Sequence, residues 1–250
     1  MKNSFLLFVS VVFLAASTSC TAQSWKKLQE KAKETINDQL GSGEAASKLS
    51  NDEVVKGLKE ALKIGSEKAV ASASKVGGFN QSSLIRIPFP KEAEEVKDFA
   101  LKVGMDSQVK EFETTMNKAA EKASDEAQEI LVGAITGMSV QDGFKILNGG
   151  DTAATHYLRT STSSELRTRF KPIVEKAINE VELTKYWNPM ASAYNKNPFK
   201  KREIDPDLVG YVTDKALDGL FVLVKQEEQS IRENPQARVT DLLKKVFGGE

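Results

Sequence analysis

The chain has 250 residues, of which 40% are hydrophobic and 28% charged, as in an ordinary globular protein. Basic and acidic residues number 35 each, so the chain lacks the broad positive field that nucleic-acid binding uses, and we expect no nucleic-acid partner. Aromatic residues make up only 7%, while the helix formers Ala, Lys, Glu and Leu are abundant. The composition therefore predicts an all-α fold.

The first 19 residues have the three parts of a bacterial export signal. These are Lys2, an apolar stretch over residues 5–16, and small residues at 17–19. The apolar stretch is shorter than the roughly 20 residues that a membrane-spanning helix needs. We therefore predict a signal peptide over residues 1–19, cleaved on export.

Cys20, the only cysteine, directly follows this leader. It resembles the lipid-modified cysteine of bacterial lipoproteins, although the usual motif has Leu three positions earlier, where this chain has Ser17. We predict a lipid on Cys20 that anchors the chain at the periplasmic side of a bacterial membrane. The alternative is cleavage after Ala22, which leaves a soluble periplasmic protein beginning at Gln23.

Residues 20–49 are predicted to be a tether with a leading helix over residues 25–40. Residues 50–250 are predicted to form a single helical domain. Ser50 and Glu53 have capping-box spacing at its start, ahead of an apolar pattern of helical period.

One segment, residues 79–90, differs in composition from the helical sequence around it. Its two prolines, Pro88 and Pro90, forbid a helix, so we predict an extended segment with room for one short edge strand. Helices are then predicted over about residues 91–103 and 106–124, with a continuation or restart over 125–138.

Capping residues mark the next elements. Ser139 is predicted to cap a short helix and Asp151 the helix after it. Thr162 and Glu165 have capping-box spacing and are predicted to open another helix. Residues 185–205 are predicted to be a loop with one helical turn.

The remaining sequence predicts two helices that each start with a capping residue and a proline. Asp205-Pro206 is predicted to start a long helix, and Asn234-Pro235 a final helix that ends at Gly248.

Several strings of residues resemble one bacterial family, DUF4197, whose members are exported proteins of unknown function. The strings are Ile87–Pro90, Met116–Glu121, Ala153–Tyr157, Tyr211–Phe221 and a closing string from Glu227 to Phe247. The resemblance covers nearly the whole chain after the leader, and it implies an envelope location and a mostly helical fold. Because the family has no established activity, the resemblance supplies no catalytic residue.

Motifs for catalysis and metal binding are weak in this sequence. His156 is the only histidine, whereas a histidine metal site usually needs two or three, or histidine with cysteine. No Gly-x-Ser-x-Gly elbow precedes it. We therefore predict no catalytic residue, no metal site and no cofactor.

Asp214 and Asp218 lie four residues apart and so share one helix face. They are predicted to lie at the margin of an apolar stripe formed by Leu208, Val212, Ala216, Leu220 and Val224. Two half-buried carboxylates would raise each other's pKa, a pattern suited to acid–base work or cation binding. The alternative is a pair of salt bridges, with Lys215 in sequence or with Arg167 or Arg169 in space.

Asn117 and Glu121 are also four residues apart, at the edge of a small-residue face. If they are buried they need hydrogen-bond partners, for which Arg159 or the backbone of the proline-containing segment would serve. Six residues are thus candidates for a polar site or a buried network: Asn117, Glu121, His156, Arg159, Asp214 and Asp218.

A group of aromatic residues lies beside four cations late in the chain. The aromatic residues are Tyr186, Trp187, Tyr194 and Phe199, and the cations are Lys196, Lys200, Lys201 and Arg202. Such a surface suits a membrane headgroup layer or a glycan. The alternative is a loop that its aromatic side chains attach to the core.

Two functions are consistent with these observations. The first is a non-enzymatic binding or structural accessory protein of the cell envelope. The second is a hydrolase-like enzyme that uses Asp214 and Asp218, with or without a divalent cation. The enzyme requires a solvent-accessible pocket where these carboxylates converge with His156 or Glu121, whereas the accessory protein predicts that they are paired with basic residues.

Overall fold

The computed structural model describes residues 50–233. The predicted signal peptide, Cys20, the tether with its leading helix, and the final helix after Asn234 lie outside these residues. Within residues 50–233 the fold is all-α, with eight α-helices and no strand. The predicted fold class is confirmed.

The helices follow one another through mostly short connections, and a 3-10 turn at Lys91–Ala93 precedes the second helix. Their bounds are α1 Asn51–Ser74, α2 Glu94–Lys102, α3 Asp106–Ser124, α4 Ala127–Gly137, α5 Val140–Leu147, α6 Ala153–Glu180, α7 Leu183–Asn195 and α8 Leu208–Glu233.

Local capping signals define several of these bounds. The Ser50 hydroxyl accepts a hydrogen bond from the Glu53 N–H, and the Glu53 carboxylate accepts one from the Ser50 N–H at 2.8 Å. Ser139 caps α5 by accepting from the Asp142 N–H at 3.1 Å. Both predicted caps are confirmed, because each depends only on residues within one helical turn.

Three long helices, α1, α6 and α8, organise the bundle. Near the end of α8, Ile231 lines a small cavity together with Leu58, in the first half of α1. Near the start of α8, Tyr211 contacts Pro88, in the segment that follows α1. Since α1 and α8 are thus antiparallel, the start of α1 and the end of α8 lie at the same end of the bundle. We call this the proximal end, and the opposite one the distal end.

The predicted helix start at Thr162 is wrong. Helix α6 runs unbroken through this position, and the Thr162 hydroxyl donates to the Leu158 carbonyl at 2.6 Å. Leu158, Thr162, Leu166 and Phe170 are all buried on one face, so the apolar pattern continues across the apparent capping box.

The predicted caps at Asp151 and Asp205 are also wrong. Helix α6 begins at Ala153, so the N-cap residue is Thr152 and not Asp151, and the Thr152 side chain makes no capping hydrogen bond. Helix α8 begins at Leu208, where Asp207 accepts a hydrogen bond from the Gly210 N–H at 2.8 Å.

The predicted loop at residues 185–205 is a helix over most of its length, since α7 spans Leu183–Asn195 with Pro189 inside it. Trp187, Met190, Ala191 and Tyr194 are buried at helical spacing. Packing of this face outweighs the low helix propensity of the prolines and asparagines around it.

The predicted extended segment, residues 79–90, keeps that name below, although its first half consists of turns and it contains no strand. Four of its apolar side chains are buried, whereas Leu84 is 59% exposed. Phe79, Ile85, Ile87 and Phe89 are each no more than 5% exposed. Where the segment crosses α8, a Cβ on Gly219 would lie 2.7 Å from the Phe79 ring. The close contact between segment and helix therefore requires glycine at this position.

Among the described helices, none is by itself long and apolar enough to cross a membrane. By length and composition alone, α4 and α5 together meet the requirement, but the pair is bent by 102° at their junction.

Candidate functional site

Asn117 on α3 fastens the extended segment from inside the core. Its side chain is fully buried. The side-chain carbonyl accepts from the Ile87 N–H at 2.8 Å, and the side-chain amide donates to the Ile87 carbonyl at 2.9 Å and to the Glu113 carbonyl at 2.7 Å. One amide therefore satisfies both backbone groups of Ile87, where two prolines prevent regular pairing.

Glu121, one turn further along α3, fastens the start of the same segment. One of its carboxylate oxygens accepts from the backbone N–H groups of Phe79 and Asn80, each at 3.1 Å. Glu121 is 6% exposed, so these bonds satisfy a buried charge. The backbone of the segment is thus the partner of both residues, and Arg159 is not.

Tyr211 on α8 holds the segment from the other side. Its hydroxyl donates to the Pro88 carbonyl at 3.0 Å. Burial, and then the charges of Glu92, Glu113 and Glu94, raise the pKa of Tyr211 to about 12. The neutral phenol, which can donate this hydrogen bond, is therefore favoured in the folded protein.

The raised pKa of Tyr211 predicts a loss of stability in alkaline solution. An unfolded chain releases the phenol proton near pH 10, whereas the folded protein retains it up to about pH 12. The unfolded state then binds fewer protons between these values, so stability present below pH 10 falls as the pH rises towards 12. Subtracting the tyrosinate absorbance titration of Tyr211→Phe from that of the wild type isolates this group. A difference curve centred near pH 10 would contradict the prediction.

Asp214 and Asp218 lie at the margin of the apolar stripe, as predicted, with side chains 47% and 54% exposed. Each is paired with an arginine of α6. Arg167 donates to Asp214, and Arg159 donates to Asp218 at 3.1 Å. The salt-bridge alternative therefore describes these two carboxylates, with Arg167 as predicted for Asp214, but with Arg159 rather than Lys215 or Arg169 as the partner of Asp218. Arg159 also lies over the Phe221 ring at 5.0 Å.

The six candidate polar residues fall into separate groups. Asn117 and Glu121 are inside the fold against the extended segment, whereas Asp214, Asp218 and Arg159 lie on the exposed α6–α8 face. His156 is exposed on α6. In the part of the chain that the structure describes, no three His, Cys, Asp or Glu side chains are placed to hold a metal ion.

The four aromatic residues also separate. Trp187 is 5% exposed and packs against Phe89 and Phe112, with ring centroids 6.2 and 5.4 Å away. Tyr194 is buried and its hydroxyl donates to Glu95 at 2.7 Å. Tyr186 is partly buried against the core. These three attach to the fold, and Phe199 alone of the four is exposed, at 89%.

Sequence reasoning missed a further buried carboxylate, that of Glu228. Glu228 on α8 is 4% exposed, and its two oxygens accept from the Ala154 N–H at 3.0 Å and the Thr155 N–H at 2.8 Å, the second and third residues of α6. Arg232, 7% exposed, donates two hydrogen bonds to the same carboxylate. The i,i+4 spacing of Glu228 and Arg232 is that of an ordinary helix ion pair, and nothing local shows that this one is buried.

A family model for the protein of unknown function DUF4197 matches residues 48–248. The chain belongs to the DUF4197 family. No curated protein and no solved structure matches the chain.

In this DUF4197 chain, strings that carry the resemblance contact one another. Asn117, in one string, binds the backbone of Ile87 in another. Glu228, in the closing string, caps the helix that begins at Ala153 in a third. These residues therefore join elements that are far apart in sequence.

An open groove of about 510 Å³ lies on the DUF4197 domain where the start of α1 meets α5. It is lined by Asn51, Val140, Gln141, Phe144, Lys145 and Asn148. None of the six candidate polar residues is among its lining residues.

Proposed function

We propose that this protein is a non-enzymatic binding or structural accessory protein of the bacterial cell envelope. It is exported, and a lipid on Cys20 anchors it at the periplasmic side of a membrane. The leader over residues 1–19 and the position of Cys20 directly after it support the location.

The non-enzymatic role is supported by the partners of the polar side chains, which are backbone groups and arginines of the fold itself. Asn117 and Glu121 bind backbone groups of the extended segment, and Glu228 binds those at the start of α6. Asp214 and Asp218 are each paired with an arginine. These side chains hold elements of the fold together, which is the pattern of a scaffold rather than of a set of converging catalytic groups.

The competing function is the hydrolase-like enzyme that uses Asp214 and Asp218. It requires both carboxylates to be available to a substrate or a divalent cation, whereas Arg167 and Arg159 occupy them here. The two functions differ in the effect of Asp218→Asn. For the enzyme this change abolishes a hydrolytic activity that the wild type shows with a divalent cation, whereas for the scaffold it only removes an exposed ion pair and has little effect on stability.

The lipid anchor is tested by the intact mass of the protein from its native membrane fraction. We expect the wild-type mass to exceed that of the chain from Cys20 onward by a diacylglyceryl and an acyl group. Cys20→Ala removes the modified thiol, so this gain in mass should disappear. An unmodified chain beginning near Gln23 would falsify the anchor and favour the soluble periplasmic alternative.

A further inference from the structure

We propose that the loop formed by residues 196–202, named here the Phe199 loop, docks on a bilayer surface rich in anionic phospholipid. The proposal rests on the envelope location proposed above but not on the lipid at Cys20. The main support for the proposal is the side chain of Phe199, which is exposed on a short hydrogen-bonded turn that also contains exposed cations.

Phe199 is the most exposed large aromatic side chain in the described part of the chain, at 89%. It follows Pro198, which is also exposed. Leaving a phenylalanine in water forgoes most of the stabilisation that burial gives. Aromatic side chains of this kind occur where proteins insert into the boundary between lipid headgroups and acyl chains.

Hydrogen bonds hold the Phe199 loop in one shape. Asn197 is central, because its side-chain carbonyl accepts from the Phe199 N–H at 3.0 Å and its N–H donates to the Tyr194 carbonyl at 2.9 Å. The Lys200 ammonium donates to the Asn195 carbonyl. Since the turn is already ordered, little conformational entropy is lost when Phe199 enters a membrane.

The charges around Phe199 match an anionic surface. Residues 183–202 include five cations and no Asp or Glu. Lys196, Lys201 and Arg202 are exposed and lie within three residues of Phe199 in the chain. Each basic residue close to an anionic membrane strengthens the binding of a protein to that membrane severalfold.

Acidic residues near the Phe199 loop neutralise part of its positive charge. Glu95 lies 3.7 Å from the Lys201 ammonium and Glu203 lies 3.4 Å from that of Lys200. Asp205 also lies within three residues of the end of the loop, so its four cations have three acidic neighbours, Glu95, Glu203 and Asp205, and a positive excess of one remains. Exposed pairs at these distances are weak and exchange readily for lipid phosphates.

The position of the Phe199 loop leaves it accessible. It leads into the start of α8 and contacts the start of α2, where Arg202 approaches the Glu92 carbonyl at 3.4 Å. This places it at the distal end of the bundle, away from Ser50 and Glu233. An attachment through residues 20–49 and one through this loop therefore involve opposite ends of the domain.

Vesicle co-sedimentation tests the proposal with the chain purified after export as its Cys20→Ala variant, which carries no lipid. The probes are vesicles of equal parts phosphatidylglycerol and phosphatidylcholine, and vesicles of phosphatidylcholine alone. We expect binding to the anionic vesicles only, weakened by salt. Adding Phe199→Ser should reduce the affinity at least about tenfold, and Lys201→Gln about fivefold.

Val76→Ser is the matched control, because Val76 is 95% exposed but lies in a loop with one neighbouring cation, Lys75. It should leave vesicle binding unchanged. Phe199→Trp should retain binding, and its fluorescence should shift to the blue on anionic vesicles as the indole leaves water. Thermal melts of all variants should coincide, since the substituted side chains are exposed.

Equal binding to both kinds of vesicle, no binding to either, or unchanged binding by Phe199→Ser would each overturn the proposal. Loss of binding by Val76→Ser to the same degree would also overturn it, by indicating general adsorption of apolar side chains. An acidic protein that binds the loop while anionic vesicles do not would replace the membrane as its partner. None of these outcomes affects the mass measurement on Cys20, so the two proposals fail independently.

Discussion

Glu228→Gln is expected to lower the free energy of unfolding by about 3–5 kcal/mol, the range for breaking a buried ion pair. The change keeps the side-chain volume but removes the negative charge that pairs with Arg232. Both side chains are buried, with Glu228 4% and Arg232 7% exposed. It also weakens the acceptor for two N–H groups at the start of α6, where the helix dipole favours an anion. Urea unfolding followed by circular dichroism measures the loss.

Glu175→Gln is the control for this change, since Glu175 is exposed on α6 and the same substitution there should alter stability by no more than about 0.5 kcal/mol. The double variant Glu228→Gln/Arg232→Gln should be no less stable than Glu228→Gln alone, because it removes the buried cation as well. Strictly additive losses in the double variant would show that the two side chains do not act as a pair.

Asn117→Ala is expected to cost about 2–4 kcal/mol, because it leaves the buried N–H and carbonyl of Ile87 without their partner. Asn117→Asp should cost at least as much. A carboxylate cannot donate to the carbonyls of Ile87 and Glu113, and it would place a charge in a fully buried site.

The effect of Asn117→Ala should be concentrated in the extended segment, which allows a second readout. Arg86, with its side chain 49% exposed, is a trypsin site within that segment. Cleavage after Arg86 should be faster in Asn117→Ala under native conditions, and unchanged in the control Asn179→Ala, where the asparagine is exposed on α6. Equal rates in all three proteins would show that Asn117 does not fasten the segment.

Elements defined by nearby residues were predictable from the sequence. The capping box at Ser50 and the cap at Ser139 depend on a single turn, and both occur as predicted. The margin position of Asp214 and Asp218 followed from helical periodicity in the same way.

Elements defined by packing were predicted less well. Helix α7 contains Pro189 and two asparagines, so composition favoured a loop. Its buried residues Trp187, Met190, Ala191 and Tyr194 nevertheless have the spacing of one helical face. At Thr162 the capping-box pattern was misleading because it falls within a longer apolar stripe.

Contacts between distant residues were beyond local reasoning. Glu228 caps α6 across a separation of 73 residues, and Asn117 binds Ile87 across 30. For Asn117 and Glu121 the sequence did indicate the kind of partner, since polar residues beside a proline-containing segment have backbone groups to satisfy. For Glu228 the i,i+4 spacing to Arg232 indicates only an ordinary helix pair, whereas its cap on α6 requires burial, which local sequence does not show.

The antiparallel arrangement of α1 and α8 affects how strongly the two proposed membrane contacts, at Cys20 and at the Phe199 loop, would reinforce each other. Helix α8, with 26 residues, spans about 39 Å. With residues 25–40 helical as predicted, the 30 residues from Cys20 to Leu49 reach at most about 70 Å. A chain held at Cys20 can therefore bring its distal end to the same bilayer, where the second contact forms within one molecule and at a high effective concentration. Under that condition avidity gives the Phe199 loop high occupancy even if its own affinity is too low to retain an untethered chain.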